Sequence, residues 1–199
     1  MTLASSALSS SSLWYFTRAT AIVAFVLMTL SFALGLASTQ RVRESRLWPR
    51  FATQQLHRNV AVLSLAFVLL HIISTLADTY VHVGWWSWVV PFVSGYEPLW
   101  VGLGTLAFDA VVIVIVTSLI RDRLPFRVWR TTHWLAYALW PLAFGHFLMS
   151  GTDSRHGGWG LYLDLGALAL LLAATTARWV SRDRSGSSLA ALPRAVAFR

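Results

Sequence analysis

Five long apolar blocks dominate the sequence, and short polar or arginine-rich stretches separate them. A bilayer core about 30 Å thick is crossed by roughly 20 residues of α-helix, and each block has about this length. The pattern therefore predicts an all-α membrane protein, a bundle of about five transmembrane helices. The predicted spans lie near residues 14–36, 56–77, 98–120, 131–150 and 160–180.

Composition and charge refine this picture without changing it. The chain is 56% hydrophobic, and its formal charge is +8. A basic chain is often a nucleic-acid binder, but here the arginines fall in loops rather than on one soluble face, so we expect no nucleic-acid partner. The opposite loops hold no basic residue between 78 and 97 and only Arg155 between 151 and 159. Because basic loops stay cytoplasmic, we expect the N-terminus outside and the C-terminus in the cytoplasm. The arginine-rich segments are 40–58, 121–130 and 181–199.

The ends of the chain differ from the blocks in composition. Residues 1–13 are rich in serine and alanine, and residues 181–199 add arginine, so we expect a flexible N-terminus and a flexible cytoplasmic tail. Residues 14–180 then form one membrane domain, with no room for a flavin or nucleotide domain of roughly 100 residues. No basic segment precedes the first block, so we interpret it as a retained helix rather than a cleaved signal.

Two motif observations narrow the chemistry. The sequence has no cysteine, which excludes disulfides, iron–sulfur clusters, thiolate zinc sites and covalently attached c-type haem. The segment GLGTLA at 102–107 matches a degenerate dinucleotide fingerprint. It lies inside an apolar block with no preceding strand, so we do not interpret it as a nucleotide site.

Four of the six histidines lie inside predicted spans, where ionisable side chains are costly and usually functional. His57 and His71 are 14 residues apart, which is a rise of about 21 Å and nearly four turns. One helix thus presents both rings on about the same face at two depths. His133 and His146 are 13 residues apart, so they reach similar depths on another helix.

The direction of the spans pairs these histidines. The second and fourth spans are separated by a single span, so both cross the membrane in the same direction. His57 then matches His133 near the cytoplasmic face, and His71 matches His146 near the outer face. Two facing imidazoles can fill both axial positions of a haem iron, so the four histidines predict two b-type haems. The alternative is four unrelated core histidines with ordinary hydrogen bonds.

One spacing does not fit an ideal helix. Thirteen residues at about 100° each leave His146 some 140° away from His133. We therefore expect a distorted fourth helix, with the kink or overwound turn near Pro141, which lacks a backbone N–H, and Gly145.

Other polar residues are secondary candidates. Arg58 and Arg130 flank the inner histidines, where they are placed either to bind haem propionates or to act only as topology charges. At the outer level, Arg18 or Arg155 is placed to bind a haem propionate. Asp109 and Asp164 lie within spans and either orient a ligand imidazole or pair with a polar neighbour. Residues of the outer loops are candidates for holding the electron acceptor. The alternative is that they are ordinary solvated loop residues. They are His82 and His156, with Asp78, Asp153 and Arg155.

The histidine pattern resembles the ferric reductase-like transmembrane family, which includes the membrane cores of ferric reductases and NADPH oxidases. The matching residues are LHR at 56–58 followed by His71, and WRTTHWLAY at 129–137 followed by His146. The segment at 90–110 looks like small bacterial members without fused reductase domains. The resemblance implies an inner and an outer haem on parallel helices and a place in the bacterial inner membrane. The family core often has six spans, against five here.

Three functions remain open at this point. The leading hypothesis is electron transfer across the lipid membrane, from a cytoplasmic flavoprotein or a membrane donor, through the two haems, to an extracytoplasmic acceptor. In that case the chain is the membrane component of an oxidoreductase that needs a separate reductase partner. A second hypothesis is a cytochrome b subunit that oxidises quinol within a larger complex. A third is a haem-free transporter or membrane scaffold in which Asp109 and the histidines line a polar path.

Overall fold

The computed structural model describes residues 2–39, 50–78, 81 and 83–190, with side chains for residues 12–38, 51–78, 81 and 83–180. Every regular element in these ranges is helical. Two short 3₁₀ turns, Trp85–Trp88 and Arg121–Arg123, lie in the connections. The α-helices are α1 (Thr2–Thr39), α2 (Arg50–Ala77), α3 (Pro98–Leu119), α4 (Phe126–His133), α5 (Leu135–Ser150), α6 (Thr152–Arg155) and α7 (Trp159–Ala190).

Four of these helices are individually long and apolar enough to cross a membrane. Their membrane segments are Ser12–Ser38, Phe51–Ala77, Pro98–Leu119 and Trp159–Val180. The remaining predicted span is divided between α4 and α5, and α5 alone, with 16 residues, is about 24 Å long. The prediction of an all-α, multi-pass membrane protein is confirmed. The orientation of the termini stays a prediction.

The predicted flexible ends coincide with the outer parts of two long helices. Helix α1 begins at Thr2, and α7 continues to Ala190. Residues 191–199 lie outside the described residues. The flexibility of both ends therefore stays a prediction.

The fourth span is interrupted at Trp134, directly after His133. The N–H of Trp134 donates to the carbonyl of Thr131 at 3.1 Å, and the N–H of Tyr137 donates to the carbonyl of Trp134 at 3.0 Å. Both are i→i−3 bonds, which wind the chain more tightly than an α-helix. Pro141, where we expected the distortion, lies inside α5 without ending it. The overwound turn is instead N-terminal to Pro141, next to Tyr137, whose carbonyl the proline leaves without its usual donor.

The helices pack as two close pairs with a gap between them. Helix α2 packs along α1, and α5 packs along α3, while α7 lies against α1 and α6. Helices α2 and α5, which carry three of the four candidate histidines, do not pack closely on each other. This leaves space between the two histidine-bearing faces.

An aromatic cluster joins α1 to α5 at the middle of the bundle. Phe25 is 3% exposed, and its ring stacks on Phe147 with centroids 4.4 Å apart and planes 9° apart. The ring of Trp140 also stacks near Phe25, with centroids 6.2 Å apart, and its Nε1 donates to Thr29 Oγ1 at 3.0 Å. Leu171 of α7 completes the core.

Two salt bridges tie the short helix α6 to its neighbours. Asp153 pairs with Arg18 of α1, and Arg155 pairs with Glu97, the residue before α3. Both bridges are half-buried or partly exposed, so each contributes about 1 kcal/mol at most. Together they fix α6 across one end of the bundle.

Truncating the central ring should weaken the bundle. Phe25→Ala removes the stack on Phe147 and leaves a void, so we expect the free energy of unfolding to fall by about 3–5 kcal/mol in denaturation by detergent or heat. Phe51→Ala is the matched control, because Phe51 is 73% exposed and should change stability little. Equal effects of the two substitutions would contradict a core centred on Phe25.

Candidate functional site

The structure brings the four membrane histidines together in two pairs. The ring centroids of His57 and His133, here called the inner pair, are 6.4 Å apart. Those of His71 and His146, the outer pair, are 6.3 Å apart. These are the partners expected from the depth and direction of the helices, and the overwound turn at Trp134 explains how α5 turns His146 toward α2.

Three of the four rings present Nδ1 to a backbone carbonyl of a neighbouring helix. His57 Nδ1 lies 2.8 Å from the carbonyl oxygen of Ser31, and His71 Nδ1 lies 3.1 Å from that of Thr17. His146 Nδ1 lies 2.9 Å from the carbonyl oxygen of Trp100. A carbonyl oxygen only accepts, so Nδ1 must carry the hydrogen and Nε2 must keep its lone pair. That is the tautomer of a histidine that binds metal through Nε2.

His133 is held differently. Its Nδ1 is buried and has no hydrogen-bond partner among the described residues. Its ring stacks on Trp129 one turn earlier, with centroids 5.2 Å apart and planes 25° apart. The inner pair therefore has one ring fixed by a carbonyl and one fixed by an aromatic neighbour.

An apolar cavity opens between α1, α2, α3 and α5 and contains the outer pair. About 960 Å³ of empty space lies within it, including the part open to the outside. His71 and His146 face each other across it, and small or aromatic side chains such as Ala107 and Phe108 form its wall. A wall with so few polar groups is typical of a site for an apolar ligand.

The residues of both pairs fit haem. Two imidazoles bound on opposite sides of one metal ion, with metal–nitrogen distances of about 2 Å, place their ring centres roughly 6 Å apart. Both observed pairs have this separation. The gap between α2 and α5 and the orientation of Nδ1 toward carbonyls agree with the same arrangement.

The candidate propionate partners lie at the ends of the helices. Arg58 and Arg130 are exposed, and the guanidinium of Arg130 lies 5.7 Å from the centre of the Trp134 ring. Arg18 and Arg155 are already paired with carboxylates, so their charges are balanced. The inner arginines are thus the better candidates for a propionate.

The carboxylates do not orient the histidines. Asp164 is fully buried near the Ser154 side chain, and neither of its oxygens has a partner at ordinary hydrogen-bond geometry in the described part of the chain. Asp109 is half-buried in α3, and none of the hydrogen bonds of the histidine rings involves it. Backbone carbonyls perform the role that we considered for these two side chains.

The outer-loop residues do not gather into a metal site. His82 lies outside the described residues, His156 is exposed, and Asp153 and Arg155 belong to separate salt bridges. Over the ranges that the structure describes, no group of three or more His, Asp or Glu side chains could hold a metal ion.

Sequence reasoning missed the three carbonyl partners of the histidines. A carbonyl leaves no trace in a sequence, since every residue has one. The only available signal was the small residue four positions after each partner, such as Gly35 after Ser31 and Gly104 after Trp100.

Comparison with known proteins gives one match. A family model described as the ferric reductase like transmembrane component matches residues 20–144, which is well over half of the chain. The matched segment contains His57, His71 and His133 and ends two residues before His146. No curated protein and no solved structure matches significantly.

The buried Asp164 yields a testable prediction. A carboxyl without a partner is costly to bury, so Asp164→Asn, which keeps the shape but cannot ionise, should leave the free energy of unfolding unchanged or raise it by up to about 1 kcal/mol. Asp153→Asn breaks the pair with Arg18 and should lower it by up to about 1 kcal/mol. Thermal unfolding in detergent measures both. A loss of more than about 2 kcal/mol for Asp164→Asn would mean that the carboxylate has a bonded partner.

Proposed function

The chain belongs to the ferric reductase-like transmembrane component family, and from this premise we propose that it is a membrane electron-transfer protein with two b-type haems. Membership makes the protein a membrane redox component, and members of the family generally bind haem. The observation that carries the proposal beyond the family is the pair of ring separations, 6.4 Å and 6.3 Å.

Each haem is assigned to one histidine pair. His57 and His133 would hold the haem iron at the inner level, and His71 and His146 would hold it at the outer level. Haem, when bound, supplies reversible one-electron chemistry. A haem held by two imidazoles would have no open position for oxygen, so each site would carry electrons rather than bind a gas.

The chain's own residues keep the two sites dry and aligned. Phe25 lies between Thr17 and Ser31 on α1, and Trp140 lies between His133 and His146 along the fourth span. The aromatic cluster therefore lies at a depth between the two pairs. It excludes water from the region between the sites, which lowers the local dielectric and keeps the redox groups apart from bulk solvent.

The proposal assigns the partners by their location. The inner pair faces the cytoplasm and receives electrons from a separate flavoprotein or from membrane quinol, and the outer pair serves an extracytoplasmic acceptor. The four membrane segments, α4 and α5 together hold more than half of the chain, and the proposal assigns the donor's chemistry to a separate protein. Arg58 and Arg130 hold the propionates of the inner haem. The host membrane is a bacterial inner membrane.

A spectrum of the purified protein tests the haem proposal. We expect reduced b-type absorbance bands and two haems per chain, and we expect His57→Ala and His71→Ala each to remove about one of them, because each breaks one pair. His156→Ala is the control, since His156 is exposed and belongs to neither pair. A protein without b-type bands, or a haem content indifferent to His57→Ala, overturns the proposal. The electron donor is then identified by which compound reduces the haems. Reduction by quinol indicates a membrane donor, and reduction only by a flavoprotein indicates a cytoplasmic one.

Cysteine labelling tests the proposed orientation without background, because the chain has no cysteine. His156→Cys and Arg123→Cys place single thiols at exposed positions on opposite ends of the bundle. A membrane-impermeant maleimide should label Cys at position 156 in intact cells and position 123 only after permeabilisation. The reverse pattern would place the outer pair on the cytoplasmic side.

A further inference from the structure

Three histidine rings reach carbonyl groups that are normally covered. Ser31, Thr17 and Trp100 lie within helices, where each carbonyl accepts the N–H of the residue four positions later. In a helix a side chain lies over the turn N-terminal to its own Cα, so the residue at i+4 covers the carbonyl of residue i. A ring from another helix can approach such a carbonyl only if that covering side chain is small.

The covering residue is small in all three cases. Gly35 follows Ser31, Gly104 follows Trp100, and Ala21 follows Thr17 by four positions. Glycine accounts for only 12 of 199 residues, so composition alone does not explain its presence at two of these three positions. In a helix interior glycine lowers stability by about 1 kcal/mol relative to alanine. A glycine at such a position therefore calls for a structural reason.

The space left by each glycine is occupied by a histidine ring. A Cβ built on Gly104 would lie 2.8 Å from Nδ1 of His146, closer than atoms in contact can approach. A Cβ built on Gly35 would lie 3.2 Å from Cε1 of His57, which is tight but tolerable after a small shift. The two glycines contact the two pairs separately, Gly35 the inner and Gly104 the outer.

We propose that Gly35 and Gly104 are positioning residues, which open the carbonyls of Ser31 and Trp100 so that His57 and His146 are fixed with hydrogen on Nδ1 and a free lone pair on Nε2. The inference rests on the proposed function for the role of Nε2 as an iron ligand. The tautomer itself requires no haem. Hydrogen bonding of Nδ1 to a carbonyl also makes the imidazole a more basic ligand, which stabilises ferric iron and lowers the reduction potential.

Alanine at these glycines should act on one site at a time. Gly104→Ala pushes the His146 ring away from Trp100, so we expect retention of the outer haem to weaken roughly 10-fold or more and its potential to rise, with the inner haem unchanged. Gly35→Ala should affect only the inner haem, and less severely, because its clash is smaller. His57→Ala and His71→Ala samples identify which haem signal belongs to which pair.

Two other glycines are matched controls. A Cβ on Gly166 would meet nothing within 4 Å, so Gly166→Ala reports the helix propensity alone. A Cβ on Gly102 would lie 2.2 Å from the Phe92 ring, so Gly102→Ala creates a worse clash that involves no histidine. Gly102→Ala should lower stability without shifting either potential selectively. If it reproduces the effect of Gly104→Ala, the role of Gly104 is only structural and the inference is wrong.

A second measurement separates this inference from the haem proposal. In full-length protein labelled with ¹⁵N-histidine and prepared without haem, solid-state NMR should show hydrogen on Nδ1 of His146, and Gly104→Ala should remove or mix that tautomer. An unchanged tautomer and unchanged potentials in Gly104→Ala would overturn the inference even if two haems bind. If wild-type protein binds no haem but shows this tautomer change, the proposed function fails and the role of Gly104 in fixing the ring stands.

Discussion

The hydrogen bond from an imidazole N–H to a helix carbonyl is the interaction on which the rest of this structure depends. Inside a membrane no water is available for a histidine N–H, so an unsatisfied one costs several kcal/mol. His57 and His71 on α2 both find their carbonyl on α1, and His146 on α5 finds its carbonyl on α3. The close packing of α2 on α1 and of α5 on α3 brings the three rings within reach of these carbonyls. The same packing leaves α2 and α5 apart, with their Nε2 atoms available to a shared ligand.

The two pairs are not equivalent. Both rings of the outer pair have a carbonyl partner, while in the inner pair only His57 has one. His133 ends α4 just before the overwound turn and is fixed by stacking on Trp129. Since hydrogen bonding makes an imidazole more basic, the inner pair has the less basic ligand set. If each pair holds a haem as proposed, the two haems would differ in reduction potential because of these backbone contacts rather than because of charged side chains.

Most of the fold could be predicted from the sequence, because its cause is local. Apolar length fixes the spans, and the spacing of His57 and His71 on a regular helix fixes their shared face. The pairing with His133 and His146 followed from the matched spacing of the histidines and from helix direction. The position of the overwound turn could not be predicted, since Pro141 removes a hydrogen bond but does not determine which upstream turn tightens. The carbonyl partners could not be predicted either, because they depend on which helix packs beside which.

The glycines show why some functional residues escape a reading based on side-chain chemistry. Gly104 belongs to a segment that matches a nucleotide fingerprint, and its apolar surroundings argue against that function. What it provides is the absence of an atom, which leaves room for the ring of His146 beside the carbonyl of Trp100. In a membrane helix, small residues are usually explained by the close approach of two backbones. Here the approaching group is an imidazole, so a small residue four positions after a carbonyl that faces a histidine is a pattern with its own physical cause. The pattern determines which ring nitrogen of the histidine carries the hydrogen. It can therefore be sought in any helical protein that binds metal through histidine.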